Sequence, residues 1–397
     1  MEHLSAYDYW NREELNRIRE FAQGKKTPFL VVDLQKISLK FEEIKRNLPY
    51  AQIYYAVKAN PLPEVIELLH EKGSYFDVAS IYEINLLLEA GVPPEKMSYG
   101  NTIKKEEDIA YAYEVGIRIF TTDSESDLKK ISRNAPGSKV VFRIISEGSG
   151  SFSDWPLSKK FGAHPEMIHK LIIEAVKMGI VPYGLSFHVG SQQRDVGQWD
   201  LALAICHDIF EEVEKDGIKL QVLNLGGGFP AKYLNPTLSM EEYARKITQY
   251  LQRHFKEMPQ IMIEPGRSLT GDSGIIVSEV SLVSKKSEYT PNKWVYLDVG
   301  KFGGLIETLD ESVKYPIFLE KYLDSKPQKY EEVILAGPTC DSYDILYERT
   351  RYKLPADITD GDKVYIFTTG AYTLSYCSIC FNGLPPLKSY VIDLGKD

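Results

Sequence analysis

The chain has 397 residues, 43% hydrophobic and 26% charged, which suits a soluble protein of two domains or one large barrel with an appendage. A formal net charge of −9 argues against nucleic acid or an anionic membrane as partner, since neither polyanion is drawn to an acidic surface. No apolar run reaches the roughly 18 residues of a membrane span, the opening MEHLSAYDYWNREEL lacks a signal peptide's apolar stretch, and four cysteines are too few for a disulfide framework, so a cytoplasmic protein is expected.

The segment TPFLVVDL at 27–34 reads as a strand. From about Ile53 to Arg267, eight short apolar runs follow: IYYAVKA, YFDVAS, MSYGN, RIFTTD, VVFRI, GLSFHVG, VLNLGGG and MIEPG. Between most of them lie segments of helical spacing, such as Val65, Leu68, Leu69 and Ile84, Leu87, Leu88. Gly73, Gly91, Gly116 and Gly179 fall just past such segments, where a left-handed cap ends a helix. Eight strands with intervening helices describe a (β/α)8 barrel over residues 37–273. A doubly wound sheet would more often carry its phosphate-binding glycines after the first strand, whereas here Gly226, Gly227 and Gly228 follow the seventh. Beyond the barrel, IIVSEVSLVS, KWVYLDVG, VILAGP and DKVYIFTTGAYT read as strands, so residues 1–36 and 274–397 are expected to form a second, mostly β domain. The charge run KKEED at 104–108 reads as a solvated helix face. Cys377 and Cys380, in CSIC, lack the context of a redox pair or the further ligands of a zinc site, and are expected to be small half-buried residues; no metal is expected.

Barrel enzymes place their chemistry at the C-terminal ends of strands, often with a phosphate site after strands seven and eight. Gly226–Gly228 and Arg267 stand at those two ends. Glycines let backbone N–H groups close on phosphate oxygens and arginine offers a planar fork, although a tight turn explains three glycines equally well. Lys58 closes the first strand, a place where most lysines simply face water. With His188 and Glu264 at matching strand ends and a phosphate cradle beside them, an imine-forming amine becomes the better reading. Together these groups answer the needs of pyridoxal phosphate.

The segments AVKANP, FDVAS, FHVGS, NLGGGFP, EPGR, GPTCDSYD and FNGLPPLKSYVI, in order over about residues 27–392, resemble the fold-type III decarboxylases of ornithine, lysine and diaminopimelate, most closely the bacterial ornithine or lysine/ornithine branch. That resemblance implies an alanine-racemase-like barrel plus a β domain, pyridoxal 5'-phosphate as cofactor, and a head-to-tail homodimer with shared active sites. By matching motif, Lys58 would hold the cofactor as a Schiff base, Glu264 would keep the pyridine nitrogen protonated, and His188 would stack on the ring. Ser191, Gly226, Gly227, Gly228, Arg267 and Tyr372 would hold the phosphate. Asp77, with Arg143 and Lys58 nearby, and Glu83 would lie close to the cofactor, and Lys160 would lie at the dimer contact. Cys340 would enter from the other subunit and protonate Cα, Asp341 would bind the distal ammonium, and Phe381 would face the leaving carboxylate. The acids Glu307, Asp310 and Glu311 lie where the family reads substrate length. L-Ornithine, giving putrescine and carbon dioxide, is the expected substrate, with L-lysine, giving cadaverine, as a second. Diaminopimelate would instead call on Arg349 or Arg351 for its distal carboxylate, a racemase would need a second acid/base on the opposite face, and a non-catalytic regulatory homologue would lack the lysine or the phosphate ligands.

Overall fold

The structure, a computed structural model, describes residues 4–145, 152–155, 160–289 and 292–395. The chain divides into two compact units, Ser38–Pro230 with Thr237–Ser268, and Met1–Ile37 with Ala231–Pro236 and Leu269–Asp397.

In chain order, helix α1 (Arg12–Ala22) opens the second of these units. Its start is written in the sequence: the Asn11 side chain accepts from the Glu14 N–H while Glu14 reaches back to the Asn11 N–H, a reciprocal capping box. Strand β1 (Phe29–Asp33) and helix α2 (Leu34–Asn47) lead to the barrel.

The barrel alternates strand and helix: β2 (Ala51–Ala56), α3 (Pro63–Glu71), β3 (Tyr75–Val78), α4 (Ile81–Glu89), β4 (Met97–Tyr99), α5 (Glu106–Glu114), β5 (Ile119–Thr122), α6 (Glu125–Asn134) and β6 (Lys139–Arg143). A short strand β7 (Ser153–Trp155) intervenes before α7 (Pro165–Lys177) and β8 (Val181–Ser186), and its antiparallel partner β9 (Ser191–Gln193) precedes α8 (Gly197–Lys215). Then come β10 (Val222–Asn224), α9 (Met240–His254), β11 (Gln260–Ile263) and the single turn α10 (Arg267–Thr270). Strands β2, β3, β4, β5, β6, β8, β10 and β11 pair in parallel, and β11 closes on β2, so all eight strands read from the sequence form one closed barrel. Gly73, Gly91, Gly116 and Gly179 all have positive φ at helix ends, as a left-handed cap requires. Tyr54, Val141, Tyr183, Val222 and Met262 fill part of the barrel interior, and the rings of Tyr54 and Tyr75 stack at 4.9 Å. Gly184 is needed where β8 passes β10, because a Cβ there would stand 2.0 Å from the Val222 carbonyl oxygen.

One reading of the charge run is corrected. Lys104 is buried rather than solvated: its Nζ donates to Asp127 Oδ2, Thr121 O and Asn101 O at 2.8 Å each. It precedes α5 and lies over the end of β5, where it neutralises a buried carboxylate; only the following acids begin the helix, where they favour its positive end.

The second unit continues with β12 (Gly274–Lys285), β13 (Lys293–Leu297), β14 (Ile317–Leu319), β15 (Tyr330–Ala336), β16 (Ile345–Pro355), β17 (Lys363–Phe367) and β18 (Lys388–Ile392). The order β14-β17-β12-β13-β15-β16 forms the main path, and β1 lies antiparallel to β12 and parallel to β18. The core of this unit packs Trp10 and Ile18 from the N-terminal segment against Phe29, Ile275, Val277, Tyr365 and Phe367. Helix α1 therefore gives this mostly β unit a helical layer.

Candidate active site

The barrel brings its chemistry-bearing side chains to the C-terminal strand ends. Lys58 sits in the turn Val57–Ala59 just past β2, Asp77 is in β3, Arg143 ends β6, His188 follows β8, and Glu264 follows β11. Lys58 Nζ lies 4.0 Å from Asp77 Oδ2; the lysine side chain is half exposed, at 50%, while that of Asp77 is buried at 5%. Burial, then the negative charge of Glu264, lifts the Asp77 carboxyl well above its usual range, while Lys58 and Arg143 pull the other way. Burial also loosens the proton of Arg143, opposed by the charges of Glu264, Asp123 and Asp77. Glu83, raised first by burial, accepts from the Ala79 N–H at 2.6 Å, and the charge of Lys58 lowers it.

His188 is held neutral. Its Nδ1 accepts from the Gly190 N–H at 3.0 Å, which leaves the proton of the neutral ring on Nε2. Burial first, then the cations Arg143 and Lys58, depress it well below the ordinary 6.5. A neutral imidazole offers a flat aromatic face without charge.

Around the glycines the backbone is closely wrapped. Gly226 and Gly228 take φ of +64° and +97°, and a Cβ on Gly226 would stand 2.1 Å from the Phe187 carbonyl oxygen. A Cβ on Gly227 would stand 2.7 Å from the Glu264 carbonyl oxygen and 3.1 Å from His188 Nε2. Only glycine fits this loop at these angles and distances. Arg267 is buried, and its Nε and Nη2 both donate to Ser191 Oγ at 3.2 Å. The hydroxyl proton of Ser191 then points to another acceptor.

One residue of this site went unnoticed in the sequence. Asn224, fully buried at the end of β10, donates from Nδ2 to Glu264 Oε1 at 2.5 Å and accepts at Oδ1 from the Gly226 N–H at 2.9 Å. It ties the acid to the glycine loop. Its position within NLGGGFP was the available signal, but an asparagine before a turn ordinarily serves only the turn.

These groups fit pyridoxal 5'-phosphate. A glycine loop without room for side chains and a buried arginine suit its phosphate, a neutral imidazole suits its ring, and an oriented carboxylate suits a protonated ring nitrogen. An amine on the first strand end is available for covalent attachment. Asp77 Oδ1, buried and with no hydrogen-bond partner among the described residues, adds an acceptor at the same place.

Apart from Lys160, the remaining candidates lie in the other unit. Cys340 is exposed, and its N–H donates to Asn382 Oδ1 at 2.9 Å. Asp341 is half-buried, and its Oδ1 accepts from the Tyr343 N–H at 2.8 Å. The buried Asp344 carboxylate accepts from the N–H groups of Lys301 (2.8 Å) and Thr339 (3.1 Å) and from the Thr339 hydroxyl (2.7 Å), fixing this loop. Phe381 packs on Phe302 with ring centres 4.9 Å apart, and both line a cavity of about 600 Å³ with Gly300, Thr339 and Leu384. Tyr372 has a φ of +58° and packs against Tyr376.

Three acids read together in the sequence separate here. Glu307 is buried and Asp310 is exposed, with Arg349 Nη2 4.0 Å away. Glu311 is committed internally: Oε1 accepts from the Glu348 and Arg349 N–H groups at 2.8 and 2.6 Å, and Oε2 accepts from the Thr350 hydroxyl. Burial works against its ionisation, but these donors hold it below its usual value. Arg351 is exposed at a φ of +50°. Lys160 is exposed, with its Nζ 5.2 Å from the centre of the Phe161 ring. Cys380 is exposed rather than half-buried, at a left-handed φ of +56°, and Cys377 is half-buried. Among the described residues, no group of histidines, cysteines and acids could hold a metal ion.

The chain is similar to known proteins over most of its length. Residues 34–271 match the family model for the pyridoxal binding domain of pyridoxal-dependent decarboxylases. Lysine/ornithine decarboxylase of Selenomonas ruminantium is 34% identical over 369 residues, covering 92% of this chain and 90% of the relative. Antizyme inhibitor 2 of Xenopus laevis is 33% identical over 369 residues, covering 89% and 78%. The crystal structure of lysine/ornithine decarboxylase from Vibrio vulnificus with cadaverine superposes with a TM-score of 0.85 at 28% identity, covering 96% of this chain and 99% of that one. A lysine at the first strand end, an oriented acid on the eighth and a closely wrapped glycine loop on the seventh all lie within the matched region, and the chain belongs to the pyridoxal-dependent decarboxylase family.

Proposed function

We propose that the protein decarboxylates L-ornithine to putrescine and carbon dioxide, accepts L-lysine as a second substrate, and works as a homodimer with shared active sites. The observation that carries an enzymatic reading is the intact set at the barrel mouth: Lys58 beside Asp77, His188 held neutral, and Glu264 oriented by Asn224. The similarity to antizyme inhibitor 2 raises a regulatory alternative, but a non-catalytic homologue has no need to keep that set.

Bound pyridoxal phosphate supplies the electron sink for the pair left on Cα when carbon dioxide departs. Lys58 would hold the cofactor covalently through its amine, beside Asp77. Glu264, aimed by Asn224, keeps a proton on the ring nitrogen, and that positive charge is what makes the sink effective. His188 would offer its neutral face to the ring, while Ser191, Gly226, Gly227, Gly228, Arg267 and Tyr372 would hold the phosphate. Cys340 returns a proton to Cα, and Phe381 forms an apolar wall that excludes water from the leaving carboxylate.

Support for a partner subunit comes from the surface around Cys340. Tyr343 (73%), Ile379 (83%) and Tyr376 (44%) leave large apolar area exposed next to the loop that carries the proton donor, as an interface requires. All four cysteines are free thiols, which suits a reducing cytoplasm.

For the substrate's distal ammonium we assign Asp341, whose Oδ1 serves its own turn and whose Oδ2 accepts nothing among the described residues. Asp310 is the helper, because Glu311 is spent on β16 and Glu307 is buried. Removing the partner of a buried charge costs about 2–5 kcal/mol, so Asp341→Ala lowers kcat/KM for ornithine by about thirtyfold or more. One methylene discriminates by only about 1–3 kcal/mol, so lysine is turned over measurably. Carbon dioxide release from ornithine, lysine, arginine and meso-diaminopimelate tests this. Turnover of meso-diaminopimelate alone would overturn the substrate and move attention to Arg349 and Arg351.

A further inference from the structure

The two-stranded sheet of β7 and β9 lies outside the barrel strands, yet one of its residues is Ser191, the hydroxyl that receives Arg267. Strand β9 holds an unfavourable conformation: Gln192, between Ser191 and Gln193, is fully buried and has a φ of +54°. A non-glycine residue keeps such an angle only where surrounding bonds over-determine it. On the barrel side they are clear. The Gln193 N–H donates to the Gly228 carbonyl at 2.9 Å, and the Tyr243 hydroxyl donates to the Gln193 carbonyl at 2.8 Å. On the outer side the bonds come from β7. Ser153 pairs with Gln193 and Trp155 with Ser191, the Ser153 hydroxyl donates to the Ser191 carbonyl at 2.6 Å, and the Arg194 N–H donates to the Phe152 carbonyl at 3.1 Å. Within this ladder, Arg194 Nε donates to Asp154 Oδ1 at 3.1 Å, with the aspartate side chain 6% and the arginine 32% exposed. A carboxylate so withdrawn from water needs its cation, and the pair fixes β7 to the residue three places from Ser191.

We propose that Asp154 is a positioning residue for the cofactor phosphate: its ion pair with Arg194 fastens β7 to β9, and β9 sets Ser191 and, through it, Arg267. The inference rests on the assignment of Ser191, Arg267 and the glycine loop as the phosphate seat. Ser191 Oγ accepts both guanidinium N–H groups, so its own proton would be the one to meet a phosphate oxygen. A shift of β9 by a fraction of an ångström spoils both contacts together. Asp154 acts on the phosphate and not on the pyridine ring, because its pair with Arg194 fastens the strand that carries Ser191.

The test compares two probes on apoprotein, pyridoxal 5'-phosphate and pyridoxal, with Kd read from quenching of protein fluorescence. Partners that orient a binding group are typically worth about ten- to a hundredfold in affinity. Asp154→Ala and Arg194→Ala should each weaken pyridoxal phosphate by about that factor and leave pyridoxal unchanged. The exchange Asp154→Arg with Arg194→Asp should recover much of the loss. Asp154→Asn, which preserves shape, gives the same comparison if the alanine variant does not fold. An unchanged Kd for pyridoxal phosphate, or equal weakening of both probes, overturns the inference. Arg267→Ala separates the two levels. If it weakens only pyridoxal phosphate while Asp154→Ala and Asp154→Asn do not, the positioning role alone falls; if Arg267→Ala also has no effect, the phosphate seat itself is wrong.

Discussion

Replacing Asn224 by alanine should damage catalysis without emptying the site of cofactor. The side chain makes two bonds in opposite directions, one to the Glu264 carboxylate at 2.5 Å and one from the Gly226 N–H at 2.9 Å. The first has an ionised acceptor when Glu264 serves the ring nitrogen, and such bonds contribute about 1.5–3 kcal/mol. Glu264 matters most when charge has moved into the ring, so the loss of its orientation is felt mainly in the transition state. If the whole of that energy is expressed there, kcat falls about ten- to a hundredfold, at about 1.4 kcal/mol per tenfold, while KM changes little. Loss of the Gly226 bond adds a smaller cost in cofactor affinity, since the loop retains its other closures. Asn224→Asp is the sharper variant: it keeps the shape and the acceptor for Gly226 but sets a carboxylate against Glu264, and should be at least as impaired. The assay is steady-state carbon dioxide release with cofactor occupancy read by visible absorbance. A kcat within twofold of wild type in fully loaded Asn224→Ala protein would refute the coupling of Asn224 to Glu264.

Shared sites can be tested by complementation. Lys58→Ala and Cys340→Ala proteins, each inactive, should regain about a quarter of wild-type activity when mixed and allowed to exchange, by counting in a two-fold dimer; no recovery after confirmed exchange would show that each chain completes its own site. The state of His188 predicts a pH effect on the apoprotein. The folded ring has a depressed pKa, so below about pH 6.5 the unfolded chain binds a proton that the folded one does not. Stability is therefore lost as the pH falls below that value, with a slope approaching about 1.4 kcal/mol per unit, and the loss ends once the folded ring is protonated. His188→Gln should lack this contribution, visible as a shallower fall of the thermal midpoint between about pH 6.5 and 5; parallel curves would contradict a neutral buried imidazole.

The barrel was legible because its signals are local and repeated. Eight apolar strands alternate with amphipathic helices, four of them ended by a capping glycine, and all eight strands form in the expected order. The β unit gave weaker signals. In β16, ILYERTRYKLP, Glu348 and Arg349 are exposed in succession and Arg351 takes a positive φ, so the two-residue alternation breaks. The pairing of β15 with β16 shifts register in the same region, so no single face runs the length of the strand. Strand β14 has only three residues, and α1 announced itself only by its Asn11–Glu14 cap.

By itself the sequence determined which residue types stand at which strand ends, because a strand's end and a helix's cap depend on neighbours within a few positions. It therefore placed Lys58, His188, Glu264, Arg267 and the glycines at the mouth of one barrel. What only the tertiary structure decided is which polar groups are already spent on one another. Glu307, Asp310 and Glu311 are equivalent as letters, but Glu311 is consumed by donors 37 to 39 residues away, while Asp310 stays open to solvent. Lys104 reads as surface charge until Asp127, 23 residues on, is seen to bury it. Asn224 serves Glu264 across 40 residues. Each is a pairing between residues remote in sequence, and a hydrogen bond or ion pair acts only over a few ångströms. The partner is therefore set by where the folded backbone brings it, which periodicity and motif do not carry.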